Sequence, residues 1–494
     1  MTKETTNEQD KPVSLKELKK KSSVAAGWST ISQVMKMVMG LGLTVILTRL
    51  LNPEDYGLLA LATVVISFSS IFIDFGFKKA LIQATEVSED DFSTIFWLNL
   101  GIGASCTGLI FLLAPWIAAF YDNPALTGII RVVSINCVLM AMMLVQVAQL
   151  SRAIDFKSQT IIMLSAQLIS GVVAIALALS NYGVWSLVGQ VVLAQLLQVA
   201  GFYYVKRWTP SFVFKVNSLS KYAKFGSNLF GLGVISTIIA QLDYIIIGRL
   251  APIAQLGFYQ KGRNLNKLPS SLSSQVILSA LFPMLSILKN RKEEFRDVFK
   301  DVDKLVAYTT IPLFGFLYLI SEPLIIFMFT ARWVEAATFF QYLCLAGFAY
   351  PLSALRVNTV TALGKPNWLF WEGMVVGPIG IVLLITLGYF FGIFGIIAGV
   401  IINRYLDFMI LSHFCHRLEV MDFWRQLRTI GGAAGFTVAV GYATFVLSSA
   451  VEVTSALAQI VLTGLVFATL YFSASYFIFP ELITKLRVVL LKKS

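Results

Sequence analysis

Leu58-Leu59-Ala60-Leu61-Ala62-Thr63-Val64-Val65-Ile66-Ser67 carries no charge, and Phe68 to Ile73 prolong the run without one. Apolar and polar residues do not alternate along it, as they would on a half-buried strand. Nor does a polar face recur every three or four residues, as on a helix lying against a soluble core. Every side of this segment is apolar, so every side needs an apolar neighbour. Leu109–Ala114 and Ile379–Leu387 repeat the pattern. Blocks of about 20 such residues match a hydrocarbon slab about 30 Å thick.

The whole chain agrees with its most telling segment. Of 494 residues, 57% are hydrophobic and only 13% charged, against about 25% charged in an ordinary soluble domain. A β-barrel needs strands of about ten alternating residues, and the continuous runs exclude it. Helices, which satisfy their backbone polar groups internally, are the remaining way to span lipid. The expected fold is therefore an all-α polytopic membrane protein. The formal net charge of +12 does not indicate nucleic acid, because the Lys and Arg residues lie in short loops between apolar runs and not on one face of a soluble domain. Cys106, Cys137, Cys344 and Cys415 are scattered without CxxC spacing and read as small hydrophobes. His413, Cys415 and His416 lack a second cluster to complete a metal site.

Spanning helices are predicted at about 25–48, 57–77, 94–120, 128–150, 158–180, 183–205, 226–249, 268–288, 305–329, 336–355, 368–390, 393–414, 430–449 and 455–478. The eighth, opening Leu268-Pro269-Ser270-Ser271, is serine-rich and suits protein or water better than lipid. With the N-terminus inside, 30 of the 39 Lys and Arg residues fall on the cytoplasmic side, as the positive-inside rule demands. Both termini are expected there. The lysine-rich segment 1–23 reads as a cytoplasmic tail, with an interfacial helix from Leu15 to Lys21, and 479–494 as a second basic tail. No loop is long enough to hold a folded catalytic domain, so function is expected inside the membrane and the chain is not expected to be an enzyme.

Two pairs of segments repeat. Val45-Ile46-Leu47-Thr48-Arg49-Leu50-Leu51 corresponds to Ile245-Ile246-Ile247-Gly248-Arg249-Leu250-Ala251, and the correspondence continues to Tyr56-Gly57-Leu58 and Leu256-Gly257-Phe258 without a gap. Tyr182-Gly183-Val184-Trp185 corresponds to Phe391-Gly392-Ile393-Phe394. Chance similarity between apolar segments is the competing explanation, and the matched Arg and Gly weigh against it. The repeats predict two parallel six-helix lobes, residues 24–205 and 226–414, joined by a cytoplasmic linker at 206–225. A loop at 415–429 leads to two further helices within 430–478. Parallel repeats place a substrate site near the midplane and permit alternating access.

The run Thr48-Arg49-Leu50-Leu51-Asn52-Pro53-Glu54-Asp55-Tyr56-Gly57-Leu58-Leu59-Ala60 resembles the start of polysaccharide flippases of the Wzx type. So do Asp74-Phe75-Gly76-Phe77, Ala80-Leu81-Ile82-Gln83, Phe96-Trp97-Leu98-Asn99 and Ala114-Pro115-Trp116-Ile117-Ala118-Ala119-Phe120-Tyr121. These belong to the multidrug/oligosaccharidyl-lipid/polysaccharide exporter superfamily, and the similarity points to the branch exporting colanic-acid-like and teichuronic-acid-like units. The resemblance implies a bilobed fold of twelve or fourteen helices in the bacterial inner membrane. It implies an undecaprenyl-diphosphate-linked oligosaccharide as substrate, moved from the cytoplasmic to the periplasmic leaflet for lipopolysaccharide or exopolysaccharide synthesis and coupled to an ion gradient. Besides substrate and membrane lipid, it implies contact with polysaccharide polymerase machinery. No cofactor is expected, and the chain has no GxxxxGK[ST] phosphate loop.

A diphosphate crossing a low-dielectric slab needs cations along its path. Ionisable groups inside spanning helices cost at least about 2.5–3.5 kcal/mol each at the centre, so they mark functional cavities. Lys36, in the middle of helix one after Gln33, is the first candidate; its alternative role is a structural pair with a buried carboxylate. Arg404 in helix twelve suits bidentate phosphate contact, but Asp407, three residues on, offers an internal partner. Arg263 and Lys267 either line the outer cavity or lie in a solvated loop. Asp243 is an ion-coupling site or a counter-ion for Arg249 or Arg263, and Asp407 has the same two options. Gln33, Gln146, Gln149 and Gln190 are candidate sugar contacts, with ordinary interhelical bonding as the alternative. Arg356 reads as a positive-inside anchor, and Asp74, with Lys78 and Lys79 at the inner end of helix two, as a gate residue or, more simply, a helix-end cap or loop salt bridge. Pro312, Pro351 and Pro378 are expected to kink their helices. Two other functions compete: a multidrug or cation antiporter, disfavoured by the central cations, and a membrane-embedded glycan polymerase or transferase, disfavoured by the short loops.

Overall fold

The computed structural model describes residues 15–478 except 289, 452 and 454. The tails at 1–14 and 479–494 lie outside the described residues. Every regular element among the described residues is helical. The chain divides into two compact units, one comprising Met1–Leu51 and Leu61–Ile238, the other Asn52–Ala60 and Ile239–Ser494.

The first unit contains α1 (Leu15–Leu50), most of α2 (Pro53–Asp74), α3 (Phe77–Gln83), α4 (Glu89–Phe120), α5 (Ala125–Arg152), α6 (Phe156–Leu179), α7 (Val184–Lys206) and the greater part of α8 (Val216–Leu250). The expected interfacial helix at Leu15–Lys21 is not separate, because α1 runs through it unbroken. The polar helix ends are capped as their sequences suggest. Ser88 and Asp91 form a reciprocal capping box at the start of α4, and Asp155 accepts the Ser158 N–H at the start of α6. Phe77 and Leu81 of α3, Phe92, Ile95 and Phe96 of α4, Leu144, Val145 and Ala148 of α5 and Tyr222 of α8 form one core. The non-helical stretch is shorter than the predicted linker, since α8 already begins at Val216. Residues within 207–215 are stapled to α4: Trp97 Nε1 donates to the Ser211 carbonyl, Trp208 Nε1 to Glu89, and Lys215 Nζ to Asp90. The ion pair to Asp90 raises the pKa of Lys215 above its usual value.

The second unit contains the start of α2, the end of α8, α9 (Ile253–Leu288), α10 (Lys292–Leu319), α11 (Ser321–Phe329), a 3-10 turn at Ala331–Trp333, α12 (Val334–Gly347), α13 (Ala349–Ala362), α14 (Pro366–Arg417), α15 (Phe423–Ser449) and α16 (Ala456–Ile478). Val306, Ala307 and Ile311 of α10, Leu352 of α13, Phe408 of α14 and Ala433 of α15 share a core. The helices at 430–478, set apart by the repeat, are therefore built into this unit.

Among the described residues, twelve helical spans are long and apolar enough to cross a membrane. One of them, α14, has 52 residues, about 78 Å at 1.5 Å per residue and more than twice the hydrocarbon thickness. Its backbone breaks at Gly392, with φ 60° and ψ −143°, so it supplies two spans. Adding the expected eighth span, carried by α9, gives the expected fourteen. The break falls at the glycine and not at Pro378, and α10 likewise continues through Pro312. Large apolar side chains stand exposed along the spans, including Leu112, Trp116, Tyr389, Phe390 and Tyr442. A surface like that is stable only against lipid. The chain is a multi-pass membrane protein.

The repeat is visible in the backbone. Helices α1 and α8 end at Leu50 and Leu250, and their successors begin at Pro53 and Ile253. Gly183 before α7 (φ 52°, ψ −128°) and Gly392 share one conformation, in a region where any Cβ is strained. At Gly57 a Cβ would lie 2.1 Å from the Ile253 carbonyl oxygen, and at Gly257 one would lie 1.9 Å from the Pro53 carbonyl oxygen. The two helix starts thus cross backbone to backbone, each through the other's glycine.

Candidate functional site

In the first unit the site is built around Lys36. The residue lies well inside α1, with apolar sequence on both sides, and its Nζ sits 3.1 Å from Met163 Sδ of α6. A thioether is a weak acceptor and leaves the charge uncompensated. The charged neighbour is Lys78 of α3, close enough to interact electrostatically. Neither lysine pairs with a carboxylate among the described residues. The alternative role considered for Lys36, a structural ion pair, has no partner there. Gln33 is exposed one turn earlier on α1.

The position of Lys78 follows from local structure. Phe75 and Gly76 both take positive φ, ending α2 and redirecting the chain into α3. Arg152, at the end of α5, donates to the carbonyl oxygens of Leu81 and Ala84. Those are the exposed acceptors of a helix C-terminus, where a cation is favourable. The short helix carrying Lys78 is therefore pinned at both ends. Two like charges held near one another in a protein-lined, low-dielectric setting repel, and an anion between them removes that repulsion. The candidate sugar contacts fare differently. Gln146 and Gln149 are buried among helices, while Gln190 is half-buried.

In the second unit Asp243, Arg263, Arg404 and Asp407 are paired. The Asp243 carboxylate accepts the Tyr259 hydroxyl at 2.6 Å and meets Arg263 NH1 at 3.0 Å. The second Arg263 nitrogen donates to the Ala240 carbonyl, and the guanidinium lies 4.7 Å from the Tyr244 ring centroid. Arg263 and Lys267 do not lie in a loop, because α9 already begins at Ile253; Lys267 is exposed one turn beyond Arg263. The helix starts early because Pro252 pre-sets its entry, as Pro53 does for α2. Arg404 NH1 meets Asp407 Oδ2 at 3.3 Å, and its guanidinium stacks 3.8 Å from the Tyr350 ring centroid. Ser353 donates to the same carboxylate at 2.8 Å.

Three features escape the sequence reading. Lys261, which the predicted spans leave in the segment between 249 and 268, is buried with its Nζ 3.3 Å from the Tyr56 ring centroid and 5.6 Å from those of Phe329 and Trp333. Its signal was an Arg/Lys-containing segment contiguous with helical apolar spacing. Arg356 is no surface anchor: its side chain is 0% exposed, 3.0 Å from the equally buried Asp303. Ser412 and Gln426 accept from its Nε, and Phe408 lies 4.3 Å beneath it. Asp303 lies on α10, 53 positions away in sequence from its partner, and no local pattern announces such a pair. Third, Glu372 of α14 lies within electrostatic range of Asp407.

Residues 46–338 match the family described as "Polysaccharide biosynthesis protein". The succinoglycan biosynthesis transport protein ExoT of Rhizobium meliloti is 23% identical over 350 residues, 71% of either chain. The lipopolysaccharide biosynthesis protein WzxC of Escherichia coli is 23% identical over 403 residues, covering 80% of this chain and 81% of its own. Among solved structures, the lipid II flippase MurJ in an inward closed conformation superposes with a TM-score of 0.73 at 15% identity, covering 92% of this chain and 99% of MurJ. That likeness establishes a shared fold. Because the family match spans more than half of its 494 residues, the chain belongs to the polysaccharide biosynthesis protein family.

Proposed function

We propose that this protein flips an undecaprenyl-diphosphate-linked oligosaccharide from the cytoplasmic to the periplasmic leaflet of a bacterial inner membrane, by alternating access coupled to an ion gradient. The observation that carries this reading is the pair of Lys36, inside the α1 span, and Lys78, in α3 just beyond the end of α2, two lysines without a carboxylate partner among the described residues. A cation in that setting costs several kcal/mol unless an anion accompanies it. A diphosphate supplies the anion, while the polyprenyl tail stays in lipid. Exposed Gln33 beside the pair offers a hydrogen bond to the first sugar. Arg263 and Arg404 are already matched by Asp243 and Asp407, so their contact with substrate follows only when those pairs open. Family membership and the transport or polysaccharide roles in the relatives' names support the same reading. The flipped product is the class of molecule that a polysaccharide polymerase consumes.

The test is the charge at position 36. A Lys36→Glu strain should accumulate the lipid-linked repeat unit on the cytoplasmic leaflet and lose surface polymer, with normal amounts of protein in the membrane. Unchanged polymer would remove the assignment.

A further inference from the structure

Helices α1 and α6, both in the first unit, lie side by side, and four contacts fix their register. Lys157 Nζ lies 5.8 Å from the Trp28 ring centroid. Lys36 Nζ lies 3.1 Å from Met163 Sδ. Gln167 Nε2 lies 3.2 Å from the place a Cβ would take on Gly40. The Leu43 methyls lie 2.5 Å from the Cβ position of Gly171. Partner numbers rise together along this seam, so the two helices run parallel. Lys36 faces Met163, and one turn further on, about 6 Å along the axis, Gly40 faces Gln167.

Both side chains leave their helices on the side turned away from lipid. On α1, Lys36 shares its side with Ser32 and Leu43, which are buried, while Ile31 and Val38 stand exposed opposite. On α6, Gln167 shares its side with the buried Ser170 and Ala174, opposite the exposed Ile161 and Val172. Gln167 is nevertheless only half-buried. Its backbone carbonyl accepts the Ser170 hydroxyl, but its side-chain amide has no hydrogen-bond partner among the described residues. An amide inside a membrane protein without a partner carries a desolvation cost that a bound polar group removes.

We propose that Gln167 is a substrate contact, and the residue by which this protein distinguishes a diphosphate carrier from a monophosphate. The inference rests on the flippase reading and takes Lys36 as its fixed point. Lys36 holds one phosphate. The Gln167 amide, a turn further along the seam, donates to the other, and Gln33, a turn before Lys36, is left to the sugar. A monophosphate offers a single group to both points, so it gains less from the amide. Gly40 has a part in this. Without a Cβ it lets the amide lie against α1, one turn from Lys36. An alanine at 40 would press on Nε2 at 3.2 Å, closer than carbon atoms ordinarily pack, and would push the amide off the seam.

The experiment is a native mass spectrometry titration of the purified full-length protein with undecaprenyl diphosphate and, separately, with undecaprenyl phosphate. The parent should prefer the diphosphate. Gln167→Leu should lose about tenfold in affinity for it, the effect of removing a hydrogen bond to a charged group, and little for the monophosphate. Its thermal stability should hold, because no hydrogen bond within the protein is lost. If Gln167→Leu fails to fold, Gln167→Met carries the test. Gly40→Ala should bind the diphosphate less tightly than the parent while gaining helix propensity. Gly42→Ala, with nothing within 4 Å, should bind as the parent does. Unaltered diphosphate affinity in the Gln167 variants, or equal losses for both lipids, overturns the proposal. So does a fall in stability with affinity intact, which would make Gln167 a tie between helices. Inorganic pyrophosphate binding with the same dependence on Gln167 would make the ligand a free anion and overturn the carrier assignment. Loss of binding in Lys36→Glu but not in Gln167→Leu removes only this inference and leaves the flippase reading standing; a parent that binds neither lipid removes both.

Discussion

Replacing Lys36 by Glu should nearly abolish transport without harming insertion, and the size of the effect can be worked from its surroundings. A unit charge pair about 4 Å apart at an effective dielectric of about 20 contributes about 4 kcal/mol. Lys36 is half-buried, and halving the figure for solvent screening leaves about 2 kcal/mol. Removing the charge with Lys36→Ala should then weaken headgroup binding about 30-fold, at 1.4 kcal/mol per tenfold. Reversing it doubles the loss to about 4 kcal/mol, close to a thousandfold. Lys36→Arg keeps the charge and should stay within a few-fold of the parent. The introduced carboxylate of Lys36→Glu would meet Lys78, so the fold loses a repulsion and gains an attraction. Membrane yield and thermal stability should hold or rise while export falls. The assay is twofold: surface polymer by quantitative immunoblot, and the cytoplasmic-leaflet pool of lipid-linked repeat unit by extraction. Parental polymer in Lys36→Glu, or equal loss in Lys36→Arg and Lys36→Ala, would show that charge at this position is not what the substrate reads.

Three further outcomes follow from the geometry. Arg356→Ala or Asp303→Ala alone leaves a fully buried charge uncompensated and should cost about 3–5 kcal/mol in thermal unfolding, whereas Asp303→Leu with Arg356→Met should recover most of it; neutral single variants would contradict the pairing. Gly257→Val drives a side chain into the Pro53 carbonyl, 1.9 Å from its Cβ position, and should destabilise by about 3 kcal/mol or more. Gly108→Ala, with nothing within 4 Å, should be neutral or slightly stabilising, and equal effects would refute the crossing. A reporter fused after Val205 should be cytoplasmic and one after Tyr182 periplasmic; the reverse pattern would invert the topology.

Spans and repeat were readable because lipid imposes a one-dimensional rule: about twenty apolar residues per crossing. The Gly183 and Gly392 junctions were readable because only glycine adopts their conformation, so the requirement leaves a letter in the sequence. Charge partners leave no such mark. Arg404 and Asp407 were visible as a pair at helical spacing, but Glu372 comes within electrostatic range of Asp407 from 35 residues away, and Asp303 reaches Arg356 from 53. Lys261 misled for another reason. Its neighbours Arg263 and Lys267 made the segment look like a hydrated loop, while the aromatic rings that shelter it come from α2, α11 and the turn before α12. Lys36 was legible as an embedded cation, yet its nearness to Lys78 depends on the redirection at Phe75 and Gly76 and on Arg152 holding α3.

The crossing at Gly57 and Gly257 has an evolutionary implication. A contact in which position 57 meets 253 while 257 meets 53 is what a two-fold axis produces between identical chains. A single-repeat ancestor carrying one such glycine would have associated as a homodimer through this patch. Within one chain that encounter is intramolecular and independent of concentration, and the copies differ around it: Asn52-Pro53 stands where the second copy has Pro252-Ile253, and Leu61 where it has Lys261.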